Sequence, residues 1–328
     1  EDFLPDMDQS LSEAGIPVSE RPMKAARFFV DHLILEVAGD TKEDYQGKPW
    51  FAAIFMPVQD WYKRRYGEAQ LHPNVSLAGV VEHYGALYLL RIPLVVTRPV
   101  GDGTCWLTFA KDVLPGEEPT LWIVNGPSIE HIRPKPLAKL KEKASGTTAR
   151  LRGIANDLKT ADLPEGSARS MAISVLRHLD KAASDICALD REATSLAMWE
   201  LNLACEKCMK AYLTQEGITY PMTHDLRALN KLAPTKHDWS EVKGALAAFP
   251  SEARIMKWRY QQITSPTMNE LWRFYQVAMQ ICSIYAGRMS RTYVLDNFAL
   301  HLSRPPWLGL FLGVFSHGFY LSFVLDIC

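Results

Sequence analysis

Residues 204–217 have the sequence Ala-Cys-Glu-Lys-Cys-Met-Lys-Ala-Tyr-Leu-Thr-Gln-Glu-Gly and belong to a longer run of helix-forming residues that begins at Arg191. Glu206 and Lys210 are four residues apart, in the order that favours an ion pair along a helix. Gly217 is the residue type that commonly ends a helix. The segment 191–216 is therefore predicted to be an amphipathic helix, because its apolar side chains recur at the spacing of one helix face: Ala197, Leu201, Ala204, Cys205, Cys208, Ala211 and Tyr212.

Helix-forming sequence continues on both sides of this segment. Glycine and proline become rare from Ser167 onward. Further helices are predicted over residues 224–232, 240–249, 252–260 and 267–291. Residues 167–291 are thus predicted to form an all-α, up-down helical bundle. Cys205 and Cys208 lie on its apolar stripe, and no second Cys/His pair follows at ligand spacing, so they are predicted to be core residues and not zinc ligands.

Two motifs in the bundle resemble the HEPN domain family. The first is Glu-Lys at residues 206–207 with Lys-Ala-Tyr-Leu at residues 210–213, and the second is Thr-His-Asp-Leu at residues 223–226. Arg259-Tyr260 lies where family members keep an Arg-Tyr pair. The resemblance implies a HEPN-like bundle that binds RNA or a nucleotide, forms a homodimer, needs no cofactor or metal, and acts in a defence, stress or toxin–antitoxin setting.

The second motif carries the most ambiguous residue, His224. Thr223 is predicted to be the N-cap of the following helix, with Asp225 adding favourable charge to its first turn. His224 is either a histidine fixed by a hydrogen bond near the mouth of the bundle or a ligand-binding residue, and it is the one candidate for a catalytic role. The candidate ligand-binding residues on these motifs are His224, Asp225, Lys207, Lys210, Arg259 and Tyr260.

Ribonuclease members of the HEPN family use an Arg-x(4–6)-His motif near the last helix, and this chain departs from that pattern. No histidine lies four to six positions after Arg273, Arg288 or Arg291. The formal pattern occurs at 27–32 and 65–72, outside the bundle, where chance explains it. Three functions follow as alternatives: binding of RNA or a nucleotide, active HEPN-type ribonuclease chemistry, and a non-catalytic protein-interaction module.

Residues 1–132 are predicted to form a separate α+β domain. The run 27–37 is rich in β-branched and aromatic residues, which predicts a buried strand. Residues 50–66 follow Pro49 and precede Gly67, which predicts a helix. Further strands are predicted over residues 79–84, 86–90, 94–98, 104–109 and 120–124, giving one antiparallel sheet with one helix.

The remaining segments are predicted to be a linker and a tail. Residues 133–166 combine lysines with prolines, which is typical of a basic linker containing short helical pieces. In the apolar tail 292–328, the stretch 305–325 has no charged residue and approaches the roughly 20 residues of a membrane span. Its glycines, prolines and His317 favour a strand or helix that caps the core, or a sequence outside the ancestral domain, with membrane attachment as the alternative.

Bulk composition limits the classes of function. A chain of 328 residues predicts two domains, and a net charge of −1 gives no global attraction to phosphate backbones or anionic lipid. The six cysteines are sparse, and the chain opens without a secretory pattern, which together predict a reducing cytoplasm. Motifs for nucleotide hydrolysis, dinucleotide binding, zincin chemistry and α/β-hydrolase chemistry are missing from the sequence.

Overall fold

The computed structural model of the chain describes residues 3–67, 76–100 and 104–303. Contacts divide these residues into two compact units. The first unit contains residues 3–67, 95–100, 104–108 and 299–303, and the second contains Ser76–Leu94 and Phe109–Phe298. This division differs from the expected single boundary near residue 132, because the first strands of the chain belong to the same unit as the helical bundle.

Three helices open the first unit: α1 (Leu4–Glu13), α2 (Arg21–Phe28) and α3 (Pro49–Tyr66). Helix α3 confirms the helix predicted over residues 50–66, and Gly67 ends it with a φ of 81°. Large apolar side chains from these helices and the segment between them form one core: Leu4, Val30, Tyr45, Phe51, Phe55, Val58 and Tyr62.

The strand predicted over residues 27–37 is wrong. Helix α2 extends to Phe28, and a π-helical turn follows at Phe29–Leu33. Burial explains the difference, because Ala26 and Val30 are buried four residues apart while Leu35 is 93% exposed. A half-buried strand needs alternating burial, whereas this apolar run buries one face of a helix.

Four of the predicted strands are present, but the strand predicted over residues 120–124 is mostly wrong, because Pro119–Trp122 is a 3-10 helix and only Ile123–Val124 pairs as a strand. The strands form two sheets and not one. The strands are β1 (Ser76–His83), β2 (Ala86–Pro93), β3 (Val95–Pro99), β4 (Thr104–Phe109), β5 (Ile123–Val124) and β6 (Phe298–Ser303). One sheet has the order β1-β2-β5 and is antiparallel, with Ser76 opposite Pro93 and His83 opposite Ala86. The other sheet has the order β3-β4-β6.

Helices dominate the second unit and confirm the predicted all-α bundle. They are α4 (Pro134–Thr160), α5 (Ser167–Cys187), α6 (Arg191–Gln215), α7 (Leu226–Lys231), α8 (Ser240–Ala248), α9 (Glu252–Arg259) and α10 (Met268–Gly287). Helix α6 is central, since it packs against α5, α7, α9 and α10. Cys205 and Cys208 are fully buried on it as predicted, and their thiols lie near the carbonyls of Ala278 and Cys282 on α10.

Helix α4 replaces most of the predicted linker. Pro134 lies in the first turn, where its missing N–H costs no hydrogen bond. Buried residues such as Leu140, Leu151 and Ile154 follow helical spacing, while Lys139 is exposed. The lysines therefore mark the outer face of a core helix that packs against β1 and α10.

A fully buried arginine on α4 holds the surrounding chain in place. The Arg152 guanidinium donates two hydrogen bonds of 2.7 Å to the carboxylate of Glu117. Its Nε donates to the carbonyl of Pro93 at 2.9 Å, and its Nη1 donates to the carbonyl of Asp112 at 2.7 Å. Arg152 thus joins α4 to the end of β2 and to the segment before β5.

In the part of the chain that the structure describes, no helix is long and apolar enough to cross a membrane. The expected tail contributes β6, whereas the apolar stretch 305–325 lies outside the described residues. Five cysteines at described positions are free thiols.

Candidate functional site

Helix α6 carries three polar or aromatic residues of the candidate site on one face. Trp199, Glu206 and Lys210 follow each other at i, i+7 and i+11, a spacing that aligns side chains along a helix. Glu206 and Lys210 are 5% and 7% exposed. Such low exposure is unusual for ionised side chains, which are rarely buried without partners.

The partners of Glu206 are Lys210 and His224. One carboxylate oxygen lies 2.6 Å from Lys210 Nζ and the other lies 2.8 Å from His224 Nδ1. An ionised carboxylate only accepts hydrogen bonds, so Nδ1 of His224 donates and Nε2 is the acceptor of the neutral ring. The side chain of His224 is 47% exposed. Glu206 therefore orients an imidazole that solvent and ligands can reach.

The loop before α7 fixes the backbone of His224. The side-chain amide of Asn202 donates to the His224 carbonyl at 3.2 Å. Asp225 is the N-cap of α7, because its carboxylate accepts the N–H of Arg227 at 2.9 Å. The prediction that Thr223 is the N-cap is thus wrong by two residues. The Thr223 hydroxyl instead accepts the N–H of Asp225 at 3.1 Å, in a local turn that positions the cap.

Trp199 joins His224 to the end of α9. The His224 ring meets the Trp199 ring edge-on, with 5.0 Å between centroids. The guanidinium carbon of Arg259 lies 4.2 Å from the centroid of the same indole, which is the geometry of a cation–π contact. Tyr260 follows Arg259 directly and is 61% exposed. An imidazole and a guanidinium thus contact one indole, and the phenol of Tyr260 lies 5.8 Å from the Arg259 guanidinium.

Lys210 lies beneath this group and not at its surface. Besides Glu206, its ammonium lies 5.7 Å from the ring of Tyr220. The Tyr220 hydroxyl is 3.1 Å from that of Thr214, one turn farther along α6. Lys210 therefore serves as the buried counterion of Glu206.

The structure separates the predicted ligand-binding residues into three groups. His224 and Arg259 are brought together at Trp199, with Tyr260 against Arg259, while Lys210 and Asp225 support the position of His224. Lys207 is half-buried on the neighbouring face of α6, without an ion pair among the described residues. Sequence reasoning missed Trp199 as a site residue. Trp199 lies seven residues before Glu206, and this spacing indicates that the two share a helix face. Trp199 is not part of the apolar stripe, however, so the stripe did not point to it.

A second histidine–carboxylate pair joins α5 to α6. His178 on α5 and Glu200 on α6 approach to 2.6 Å between Nδ1 and Oε2. The His178 side chain is 18% exposed, well below the value for His224. His178 is therefore a natural comparison residue for experiments on His224.

The formal Arg-x(4–6)-His patterns of the first unit add no comparable site among the described residues. The ring of His32 packs against Phe28 at 4.5 Å between centroids. His72 lies outside the described residues. Within residues 3–67, 76–100 and 104–303, no group of three His, Cys, Asp or Glu residues is placed to hold a metal ion.

Comparison with known proteins gives a family match within the helical part. Residues 175–287 match the family model of the HEPN domain. This range includes Trp199, Glu206, His224 and Arg259. No curated protein and no solved structure matches the chain.

Proposed function

Since residues 175–287 match the HEPN domain model, we propose that this region binds RNA or a nucleotide at the His224 site. The observation that carries the proposal is the contact of both Arg259 and His224 with Trp199, beside the exposed Tyr260. Nucleic-acid and nucleotide sites combine exposed aromatic rings, which stack on bases, with cations, which contact phosphate.

Each side chain has a distinct role in this proposal. Tyr260 offers its exposed ring for stacking on a base. Arg259 is held over Trp199 with its nitrogen donors available to a phosphate, which a guanidinium binds in a fixed geometry. Nε2 of His224 accepts a hydrogen bond from a sugar hydroxyl or a base. The net charge of −1 requires such a local site, because the chain as a whole does not attract phosphate.

Fluorescence anisotropy with a labelled single-stranded RNA, and calorimetry with a panel of nucleotides, test the proposal. We expect Tyr260→Ala and Arg259→Gln each to weaken binding by about tenfold. This is the loss of affinity expected when one stacked base or one phosphate contact is removed. Affinity should also fall as salt is raised.

Arg254→Gln is the matched control. Arg254 lies on the same helix as Arg259, stacks on Trp258 at 4.5 Å and pairs with Glu270 at 3.1 Å. It shares the chemistry of Arg259 but not the contact with Trp199, so its replacement should leave binding unchanged. Absence of salt-dependent binding to RNA and to every nucleotide would reject the proposal and favour a protein-interaction module.

The oriented imidazole favours a ribonuclease as the second candidate function. A histidine whose Nδ1 is held by a carboxylate presents Nε2 as a general base, here for the ribose 2′-hydroxyl. Attack of that oxygen on the adjacent phosphorus would give a 2′,3′-cyclic phosphate, with the leaving 5′ oxygen taking a proton from water. We expect His224→Ala to abolish such cleavage and His178→Ala to leave it intact. Equal cleavage by wild type and His224→Ala would exclude His224 as the base.

A further inference from the structure

A cluster of aromatic and basic side chains in the second unit shares no residue with the His224 site. The ring of Trp239 lies 5.4 Å from that of Tyr212, 4.6 Å from that of Tyr285 and 5.9 Å from that of His237. The guanidinium carbon of Arg288 lies 4.1 Å from the centre of the Trp239 ring. These residues are called the Trp239 cluster.

Most polar groups of the Trp239 cluster have partners. The Tyr285 hydroxyl donates to the side chain of Asn230 at 2.8 Å, and the Trp239 indole N–H donates to the carbonyl of Pro234 at 2.8 Å. Nη2 of Arg288 donates to the carbonyl of Asp238. These bonds and ring contacts fix the side chains that surround the groups without partners.

Two buried polar atoms of the cluster have no hydrogen-bond partner among the described residues: the hydroxyl of Tyr212 and Nη1 of Arg288. Buried polar groups are nearly always hydrogen-bonded, so two of them on side chains that contact one ring indicate a missing acceptor. Tyr212 is fully buried, and its ring is packed against Trp239 and Tyr285, which prevents its hydroxyl from turning to solvent.

The two acids near the cluster do not supply the missing acceptor. The carboxylate of Glu216 is paired with Lys236 at 2.5 Å. The Asp238 carboxylate is exposed and accepts hydrogen bonds from the N–H and hydroxyl of Ser240. Both acids have these other partners, and neither accepts a hydrogen bond from the Tyr212 hydroxyl or from Nη1 of Arg288.

The titration of Tyr212 agrees with this geometry. Burial, and after it the charge of Glu216, raises the pKa of Tyr212 to about 12, against the opposing positive charge of Arg288. The hydroxyl is therefore protonated at neutral pH and can donate. Arg288 also lies close enough to act on it electrostatically.

We propose that the Trp239 cluster binds a small oxyanion of the phosphate type, which accepts hydrogen bonds from the Tyr212 hydroxyl and from Nη1 of Arg288. A guanidinium stacked on an indole is well suited to this, since its nitrogens stay in plane and match the oxygens of a phosphate. A water molecule would also satisfy the two donors, and the titrations below distinguish it from an anion. His237 is the partly exposed residue of the cluster on the side of Trp239.

Calorimetric and ³¹P NMR titrations with inorganic phosphate, at constant ionic strength, test this proposal. A nucleoside 5′-monophosphate is titrated in parallel, to distinguish a free anion from the phosphate of a nucleotide. We expect saturable binding of one of these probes by wild type, and a loss of affinity of about tenfold in both Tyr212→Phe and Arg288→Lys.

Two variants on α10 serve as matched controls. Tyr275→Phe removes a fully buried hydroxyl outside the cluster, and Arg273→Lys changes an arginine that stacks on Phe274 at 4.9 Å. Both should bind the anion like wild type. The Arg259→Gln variant should do so too, which separates this site from the His224 site.

The proposal is overturned if wild type binds neither probe saturably, because water then fills the cluster. Unchanged affinity in a folded Arg288→Lys or Tyr212→Phe variant overturns it as well, because the anion then binds elsewhere. Circular dichroism establishes which variants are folded. Either substitution alone suffices for the test if the other prevents folding.

Discussion

Glu206 orients His224 from inside the helical bundle, with 2.8 Å between Oε2 and Nδ1. Its other oxygen lies 2.6 Å from the ammonium of Lys210. The carboxylate and the ammonium are buried, whereas the imidazole is half-exposed. A buried ion pair thus positions an accessible side chain, and this links the stability of the bundle to the geometry of the proposed binding site.

Removing the charge of Glu206 should therefore destabilise the fold. The Lys210 side chain is only 9% exposed, and in Glu206→Gln its ammonium loses the counterion that Glu206 provides. Removing one partner of a buried ion pair typically lowers the free energy of unfolding by about 3 kcal/mol. We expect the free energy of unfolding at pH 7, measured with urea, to fall by about this amount.

The double variant Glu206→Gln/Lys210→Met is the control for this prediction. Replacing both charges removes the uncompensated ammonium, so the double variant should be more stable than the sum of the two single effects predicts. Strict additivity of the two changes would contradict the pairing of Glu206 with Lys210.

Much of the bundle could be predicted from the sequence because its signals are local. The stripe from Ala197 to Tyr212 specifies which face of α6 is buried, and Gly217 marks its end. The site was only partly predictable. Trp199 and Arg259 are in contact but lie sixty positions apart in the sequence. The spacing of residues within one helix cannot predict such a contact.

The wrong predictions have a common physical cause. Residue types in the run 27–37 predict a strand, but the burial of this run follows a helical spacing. The lysines and prolines of residues 133–166 predict a linker. Their apolar residues, however, form one stripe along α4, and Arg152 lies within that stripe. The lysines and prolines reflect the exposed face of such a helix, whereas only the spacing of the apolar residues indicates its buried face.

The buried pair of Arg152 and Glu117 should be a major source of stability in the second unit. Arg152→Met leaves the Glu117 carboxylate, 9% exposed, without its cation. We expect the free energy of unfolding to fall by about 3–5 kcal/mol in denaturant titrations. Lys141→Met breaks the neighbouring exposed pair with Glu118, at 2.9 Å, and should cost less than about 1 kcal/mol. Equal effects of the two substitutions would contradict the role given to Arg152.

Gly79 should be required where α4 packs against β1. A Cβ at this position would lie 2.9 Å from Thr147 Cγ2 and 3.0 Å from Leu151 Cδ1. Gly79→Ala is therefore expected to lower the free energy of unfolding by about 1–3 kcal/mol, as overpacking does.

Gly146 is the matched control for this substitution, because it lies within α4 where a Cβ would meet no described atom within 4 Å. Gly146→Ala should raise the free energy of unfolding by about 0.5–1 kcal/mol, since alanine favours the helix more than glycine does. Thermal unfolding of both variants measures the two opposite shifts. A destabilised Gly146→Ala would argue against a continuous α4.

Glu270 should make the stability of α10 depend on pH. Its carboxylate accepts the N–H of Thr267 at 3.0 Å, and the Thr267 hydroxyl accepts the N–H of Glu270 in a reciprocal capping box. The pKa of Glu270 is lowered, chiefly by the hydrogen bond from the Thr267 backbone, with burial opposing and Arg254 assisting. Because the folded pKa lies below the unfolded value, the ionised group stabilises the fold above the unfolded pKa. This contribution is lost as the pH falls through the folded pKa.

Comparison of wild type with Glu270→Gln isolates that contribution. Glutamine keeps an acceptor for the Thr267 N–H but carries no charge, so the two proteins should differ by about 1 kcal/mol at pH 7. Urea titrations across the acidic range should show this difference shrinking as Glu270 becomes protonated. The free energy of unfolding of Arg254→Gln at pH 7 gives the part of this contribution that comes from the ion pair of Arg254 with Glu270, at 3.1 Å. A difference between wild type and Glu270→Gln that stays constant with pH would show that the charge of Glu270 does not stabilise the helix.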